Sequence, residues 1–433
     1  MFNGVNRFAW SEKRLGVLTG AFKDACKSHP VRQGMQLLLW QSLSQGMLFF
    51  GSSWMVRCLG PKNLGISAVV LSTVNLFALL INLGLSFTGA RSLATDKEHA
   101  KQTIELIMGV RLRMAFALFG LWLLGSAVLL ALGVPNALAW AVGSLCFLAL
   151  APNPQWVLQG LGNLPFYSKS AAIGSAVTAA TYLILFRPGF GPGSDILVNA
   201  LSNFLVLVII WRYINKTIGA RLLSPIQFAP AWELIKKGRY AFGGAVTLYF
   251  YNQFDVMLIS YFTDTAQAGF YRAANTFISP MTLLVSISDA ILFPRLAVMH
   301  KENPQTFLKN SARLAAIYAA GAIVVAVTAV PLSGWMVTLL FGAKYASSVL
   351  PAQILIVSSC VSAIAGPFRW GLMAAHRDGT FFLNSAVIAI LAVALNFFLV
   401  PHFGAPGAAV ARLSAQVVLM VSSVVLCYRL LKR

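Results

Sequence analysis

Three charged side chains interrupt the apolar stretch from Tyr249 to Arg295: Asp255, Arg272 and Asp289. Ionised groups at membrane depth are costly, and they face a protein interior or a wet cavity rather than lipid. The stretch reads as two apolar helices of about 25 residues each, joined by a polar turn around Thr263 to Gln267. Each is long enough to cross a hydrocarbon layer of roughly 30 Å. With Asp264 at the turn, Asp255 lies nine residues before it and Arg272 eight after. In an antiparallel hairpin the two therefore sit at nearly one depth, and the same count sets Asp289 level with Arg239. At 100° per residue, Asn275, Thr276, Ser279, Leu283 and Ser286 fall within about 60° of Arg272, a mostly polar stripe down one helix face. The two pairs read either as the charged lining of a cleft or as buried ties that align the helices.

The elements that must carry these groups follow from composition. The chain has 433 residues, 58% hydrophobic and only 10% charged, with a mean hydropathy of +0.75. A soluble domain of this length does not have that composition, so an all-α polytopic membrane protein is expected. The spans are predicted at 34–58, 64–90, 106–132, 137–159, 166–187, 194–214, 238–262, 268–293, 312–341, 348–374, 380–400 and 405–428. Residues 1–33 read as a cytoplasmic leader, part of it an interfacial helix. No cleavable signal peptide is apparent, since the first apolar run follows mixed polar residues and lacks a small-residue cleavage site. Five scattered cysteines (Cys26, Cys58, Cys146, Cys360 and Cys427) have no metal spacing and indicate no disulfide framework.

Lys and Arg number 33 against 12 acids, a net charge of +21. Twelve spans with both termini inside place only Arg57, Lys62, Arg187 and Lys344 on the far side. Arg272, Arg369 and Arg412 remain within spans, and all other basic residues gather on the cytoplasmic side. This is the distribution of the positive-inside rule. It accounts for the excess charge through an anionic inner leaflet and without nucleic acid.

The chain repeats itself. Gly65 to Arg91 and Gly269 to Arg295 both set Gly and Arg 26 residues apart, and Phe190-Gly191-Pro192-Gly193 echoes Phe403-Gly404-Ala405-Pro406-Gly407. The expected organisation is a leader (1–33), a first six-helix lobe (34–214), a cytoplasmic linker (215–237) and a second six-helix lobe (238–433). An even number of spans per repeat gives the lobes the same orientation, related by a pseudo-two-fold axis along the membrane normal. Two such lobes face one another across a cleft, the place where access would alternate.

Leu59-Gly60-Pro61-Lys62-Asn63-Leu64-Gly65 resembles the signature that follows the first span in polysaccharide transporter proteins. Gly269-Phe270-Tyr271, Phe293-Pro294-Arg295-Leu296, Gly371-Leu372-Met373-Ala374-Ala375-His376-Arg377 and the run from Asn396 to Ala409 are similar to further motifs of that family, in the expected order. The resemblance is to the lipid-linked oligosaccharide flippases within the superfamily that also holds multidrug extruders and lipid II flippases. It implies a bacterial inner-membrane protein, not an enzyme, that moves undecaprenyl-diphosphate-linked repeat units to the periplasmic leaflet for surface polysaccharide synthesis. Membrane lipids and other polysaccharide assembly proteins are the implied partners. Asn82 stands where relatives often carry an acid, and Arg272 and Arg412 stand at positions commonly small or hydroxylic.

A lipid diphosphate with a polar glycan cannot cross hydrocarbon unaided, and a planar, permanently charged guanidinium suits phosphate. The candidates are Arg91, Arg295, Arg111 and Arg113 for capture at the cytoplasmic mouth and Arg272 deeper in the cleft, with Arg412 and Arg369 second in rank. Asn75, Asn82, Asn275, Tyr251 and Asn252 are the glycan-contact candidates; interhelical hydrogen bonding and packing are the alternative roles. Asp255 is the candidate to bind a coupling H+ or Na+, with Asn396 at similar depth; no other cofactor is expected. Pro280, Pro367 with Gly366, and Pro152 with Pro154 mark bends. A drug or metabolite extruder or a lipid II flippase of the same superfamily is the first alternative. A membrane glycan polymerase or ligase is the second, opposed by short predicted periplasmic loops without a carboxylate pair.

Overall fold

A computed structural model of the protein describes residues 29–96, 98–221, 228–302, 304–374 and 378–431. Most of the expected leader, and residues 222–227 of the expected linker, lie outside those residues. Among the described residues the regular structure is helical throughout. Apolar spans of this length have no water to satisfy their backbone, and a helix satisfies it internally.

Helix α1 (His29–Asn82) is two limbs folded at Gly60, whose φ of 75° and ψ of 165° no side-chain-bearing residue adopts easily. Pro61 then opens the second limb, where a missing N–H costs nothing. Short α2 (Leu85–Thr95) follows, then α3 (Ala100–Ala131), α4 (Ala137–Leu150), α5 (Gln155–Gly160), α6 (Leu164–Leu185) and α7 (Ser194–Ile218). The second half holds α8 (Phe228–Asn252), α9 (Phe254–Phe262), α10 (Thr265–Glu302), α11 (Pro304–Phe341), α12 (Val349–Ala374) and α13 (Asp378–Leu431). A 3₁₀ turn, Ala343–Ser348, precedes α12. Like α1, α13 is double, folded at Gly404 with φ 59°.

Among the described residues seven segments are long and apolar enough to cross a membrane, and two of them, Gly34–Asn82 and Phe382–Arg429, are double-length. With α6, the α8–α9 pair and α10 they make twelve crossings in two six-helix lobes. Pro152 and Pro154 break the fourth crossing as expected, whereas Pro280 and Pro367 lie inside uninterrupted helices. The seventh crossing breaks at Gln253, with φ −133°, a break that no Gly or Pro announces.

The turns at Gly60, 187–193, 263–264 and 342–348 gather at one end of the bundle, here the turn face. Its core joins the lobes: Met55, Val56, Leu64 and Tyr182 pack with Val256, Tyr271, Phe341 and Tyr345. The lobes meet there through backbone. A Cβ added at Gly65 would lie 1.6 Å from the Thr265 carbonyl oxygen, and one at Gly269 would lie 1.9 Å from that of Pro61. Small residues permit such an approach between membrane helices. The Tyr345 hydroxyl donates to the Val56 carbonyl at 2.7 Å and Arg57 to that of Leu339 at 3.4 Å, sealing the same face. A second seam runs toward the opposite face, where Tyr249 donates to the Ser72 carbonyl (2.8 Å) and Ser72 to that of Gln253 (2.6 Å).

Candidate functional site

Of the arginines expected to share one central cleft, Arg91 and Arg111 line a cavity in the first lobe and Arg369 and Arg412 a separate one in the second. The first-lobe cavity, about 820 Å³, lies where the second limb of α1 meets α2, α3 and α5. Arg91, Arg111, Asn82, Ser86, Asn153, Gln155 and Gln159 give its polar lining, and no carboxylate is among its described lining residues. Arg111 is only 5% exposed. Its Nη atoms donate to the Ser86 hydroxyl (3.3 Å) and to the carbonyls of Asn153 (3.4 Å) and Leu150 (3.3 Å). Its buried Nε has no partner among the described residues. Dipoles alone therefore hold a buried cation, which is costly unless an anion joins it. Arg91 is exposed on the rim. Asn82 gives its oxygen to the first turn of α2, accepting from Ser86 N–H (3.1 Å) and Oγ (2.8 Å).

The second-lobe cavity, about 540 Å³, is lined by α8, α10, α12 and α13. Arg369 and Arg412 enter it with Tyr251, Asn252, Gln416 and several hydroxyl residues, and again no carboxylate is among the described lining residues. Arg412 donates to Asn275 Oδ1 at 3.0 Å. Thus Asn275 contacts a guanidinium from outside the cavity, and Asn75 donates instead to Gln253 Oε1 across the second seam at 2.9 Å.

The expected Asp255–Arg272 pair is not formed. Asp255, 4% exposed, accepts from the Tyr271 hydroxyl and from Val256 N–H, the latter at 2.8 Å. Its counter-charge is Arg412, which stands beside both Tyr271 and Asp255. Successive residues on a helix point about 100° apart, so with Tyr271 turned to Asp255, Arg272 faces away. It is exposed, lines neither cavity, and lies across the lobe seam within electrostatic reach of Tyr182 and Asp195. Asp195 itself is 3% exposed and takes a 2.6 Å hydrogen bond from Ser67.

Other candidates fall elsewhere. Arg113 is exposed and donates to the Gly109 carbonyl of its own helix at 3.3 Å. The side chains of Arg295 and Asp289 lie outside the described residues, and Arg239 donates to Tyr240 at 3.3 Å. Asn396 is buried and donates to the Ala392 carbonyl at 2.8 Å. The Phe262 ring packs on Phe397, which puts Asn396 level with Tyr261, roughly a turn and a half beyond Asp255. Asp195 and Gln416 were missed from sequence. The signal available was weak, a lone polar residue in or at the start of an apolar span.

Residues 31–300 match the family model described as polysaccharide biosynthesis protein. The chain belongs to that family. It is 22% identical over 397 residues to the putative O-antigen transporter of Escherichia coli (strain K12), covering 87% of this chain and 90% of that one. It is 25% identical over 277 residues to the succinoglycan biosynthesis transport protein ExoT of Rhizobium meliloti (strain 1021). That match covers 60% of this chain but only about half, 53%, of the relative. The fold is shared with an inward-facing MATE family multidrug resistance transporter of the MOP superfamily, at TM-score 0.70, 13% identity and coverage of 92% and 98%. The lipid II flippase MurJ in an inward closed conformation gives TM-score 0.69 at 12% identity, covering 92% and 88%. Membership of that family, relatives described as transport proteins and a multi-span helical fold mark the chain as a membrane transporter of polysaccharide biosynthesis and not an enzyme.

Proposed function

We propose that the protein flips undecaprenyl-diphosphate-linked oligosaccharide repeat units from the cytoplasmic to the periplasmic leaflet by ion-coupled alternating access. The observation that carries this reading is Arg111, a buried guanidinium with an unpartnered Nε in a cavity whose described lining has no carboxylate. Such a site rejects organic cations and takes a phosphate bidentately. Arg91 on the rim adds a first point of attraction. Under the positive-inside topology the cavity opens on the cytoplasmic side, the turn face is periplasmic, and the Gly65–Gly269 crossing closes it. The conformation is then the loading state. Asp255 remains the candidate for the coupling ion, with Arg412 as the charge an incoming H+ or Na+ would release.

Two measurements test the reading. Deleting the gene should make lipid-linked repeat units accumulate on the cytoplasmic leaflet; normal export in the deletion strain overturns it. Purified protein should bind undecaprenyl diphosphate, and Arg111→Gln should weaken that binding at least tenfold, the loss of one charge-assisted contact. The exposed Arg91→Gln variant, which leaves the buried network intact, should weaken it less.

A further inference from the structure

We propose that the second-lobe cavity is a saccharide subsite in which Gln416 donates to a sugar hydroxyl, so that one substrate is held by its phosphate in the first lobe and by its glycan in the second. The inference rests on the flippase reading above and adds where the sugar sits.

Gln416 is 4% exposed and lines the cavity. The Tyr251 hydroxyl donates to its Oε1, which fixes the orientation of the amide. Nε2 is then left buried with no partner among the described residues. A buried donor without an acceptor is costly, and its presence at a cavity wall marks the place of a ligand acceptor.

Besides the donors of Arg369 and Arg412, the wall supplies groups of the opposite polarity. The Thr247 hydroxyl spends its proton on the Gly243 carbonyl at 2.9 Å, and that of Ser359 spends its own on the Leu355 carbonyl at 2.9 Å. Asn252 uses one of its two amide hydrogens on the Leu248 carbonyl at 2.9 Å. Thr247 and Ser359 are thereby left as acceptors, and Asn252 offers its carbonyl oxygen together with one amide hydrogen. A sugar hydroxyl both donates and accepts, so a wall that sets such acceptors beside the donors of Gln416, Arg369 and Arg412 matches a polyol, whereas a phosphate, which only accepts, would leave the acceptors unmet. The Tyr251 and Phe382 rings give the cavity flat apolar walls for the C–H faces of a pyranose. Gly244 keeps the α8 wall thin, since nothing lies within 4 Å of where its Cβ would be.

The division of labour explains why two cavities of different chemistry persist in lobes that began as repeats. Arg111, with its unsatisfied guanidinium, suits the diphosphate, and Gln416, with its unsatisfied amide, suits the glycan.

The test uses the full-length protein in detergent and two probes measured separately. One is the repeat-unit oligosaccharide released by mild acid from the host's own surface polysaccharide; the other is undecaprenyl phosphate. The parent protein should bind both. Gln416→Glu, which keeps the shape and removes the donor, should weaken saccharide binding roughly tenfold and leave undecaprenyl phosphate binding unchanged. Ser362→Phe, which fills the cavity from the α12 wall, should do the same. Saccharide binding that survives both substitutions, or a parent protein that binds no saccharide, overturns the subsite. Loss of undecaprenyl phosphate binding in Arg111→Gln with saccharide binding retained supports two separate seats. If the parent binds saccharide but not the lipid phosphate, the flippase reading fails while the saccharide subsite stands.

Discussion

Placing one methyl group at Gly269 should open the turn face. A Cβ there lands 1.9 Å from the Pro61 carbonyl oxygen, 2.7 Å from its carbonyl carbon and 3.1 Å from Gly65 N, all backbone. Side-chain carbons do not come within 3.0 Å of such atoms, so the α1 and α10 crossing must widen by about 1 Å. Neither carbonyl can swing aside, because each belongs to a helix. Overpacking of a tight contact costs about 1–3 kcal/mol, and a clash with rigid backbone falls at the upper end. About 3 kcal/mol is roughly a hundredfold shift toward states in which the lobes part at this face. Spin labels at Arg187 in the first lobe and Lys344 in the second, both exposed, report that separation as a distance distribution. Gly269→Ala should move the population to longer distances, and Gly65→Ala, whose Cβ would meet the Thr265 oxygen at 1.6 Å, should do so at least as strongly. Gly120→Ala, with nothing within 4 Å, is the control. An unchanged distribution in a folded Gly269→Ala protein refutes the claim that this crossing keeps the face shut.

Removing the hydroxyl that holds Asp255, by Tyr271→Phe, leaves a buried carboxylate one donor short and should cost about 1–3 kcal/mol of stability, read from thermal melts in detergent. A loss below about 0.5 kcal/mol would mean that Arg412 and the Val256 N–H suffice. Arg272→Gln should loosen the turn face by about 1 kcal/mol or less, the range for a pair with one exposed partner, and Asp195→Asn should cancel that effect. The double-mutant cycle, read with the same spin labels, should show coupling between the two positions; strict additivity would show that they do not interact across the seam.

The twelve apolar runs and the Gly-to-Arg repeat were legible because hydrocarbon demands length and apolarity of each crossing, and both are properties of the linear chain. The repeat marked Gly65 and Gly269 as equivalent. That the two touch was not visible, since equivalence under an axis does not say which residues lie on it. Asp255 and Arg272 show the same limit. Counting from the turn set their depths correctly, yet the residue beside Arg272, Tyr271, is the one that reaches the carboxylate. Depth follows from residue count, whereas direction around a helix depends on what the neighbouring helices offer and, for Asp255, on the break at Gln253.

Arg91 and Arg111 stood out in sequence as cations near the end of a span, and Gln416 did not stand out at all. A lone glutamine in an apolar run is silent until its surroundings show that Tyr251 occupies its oxygen and nothing occupies its nitrogen. Composition and spacing by themselves determined a helical membrane protein of two like-facing lobes, the residues at its special turns and a surplus of arginine. Tertiary structure alone decided which arginine lacks a counter-charge, which carboxylate answers to which lobe, and where polar atoms are left unmet, because each depends on contacts between residues distant in the chain.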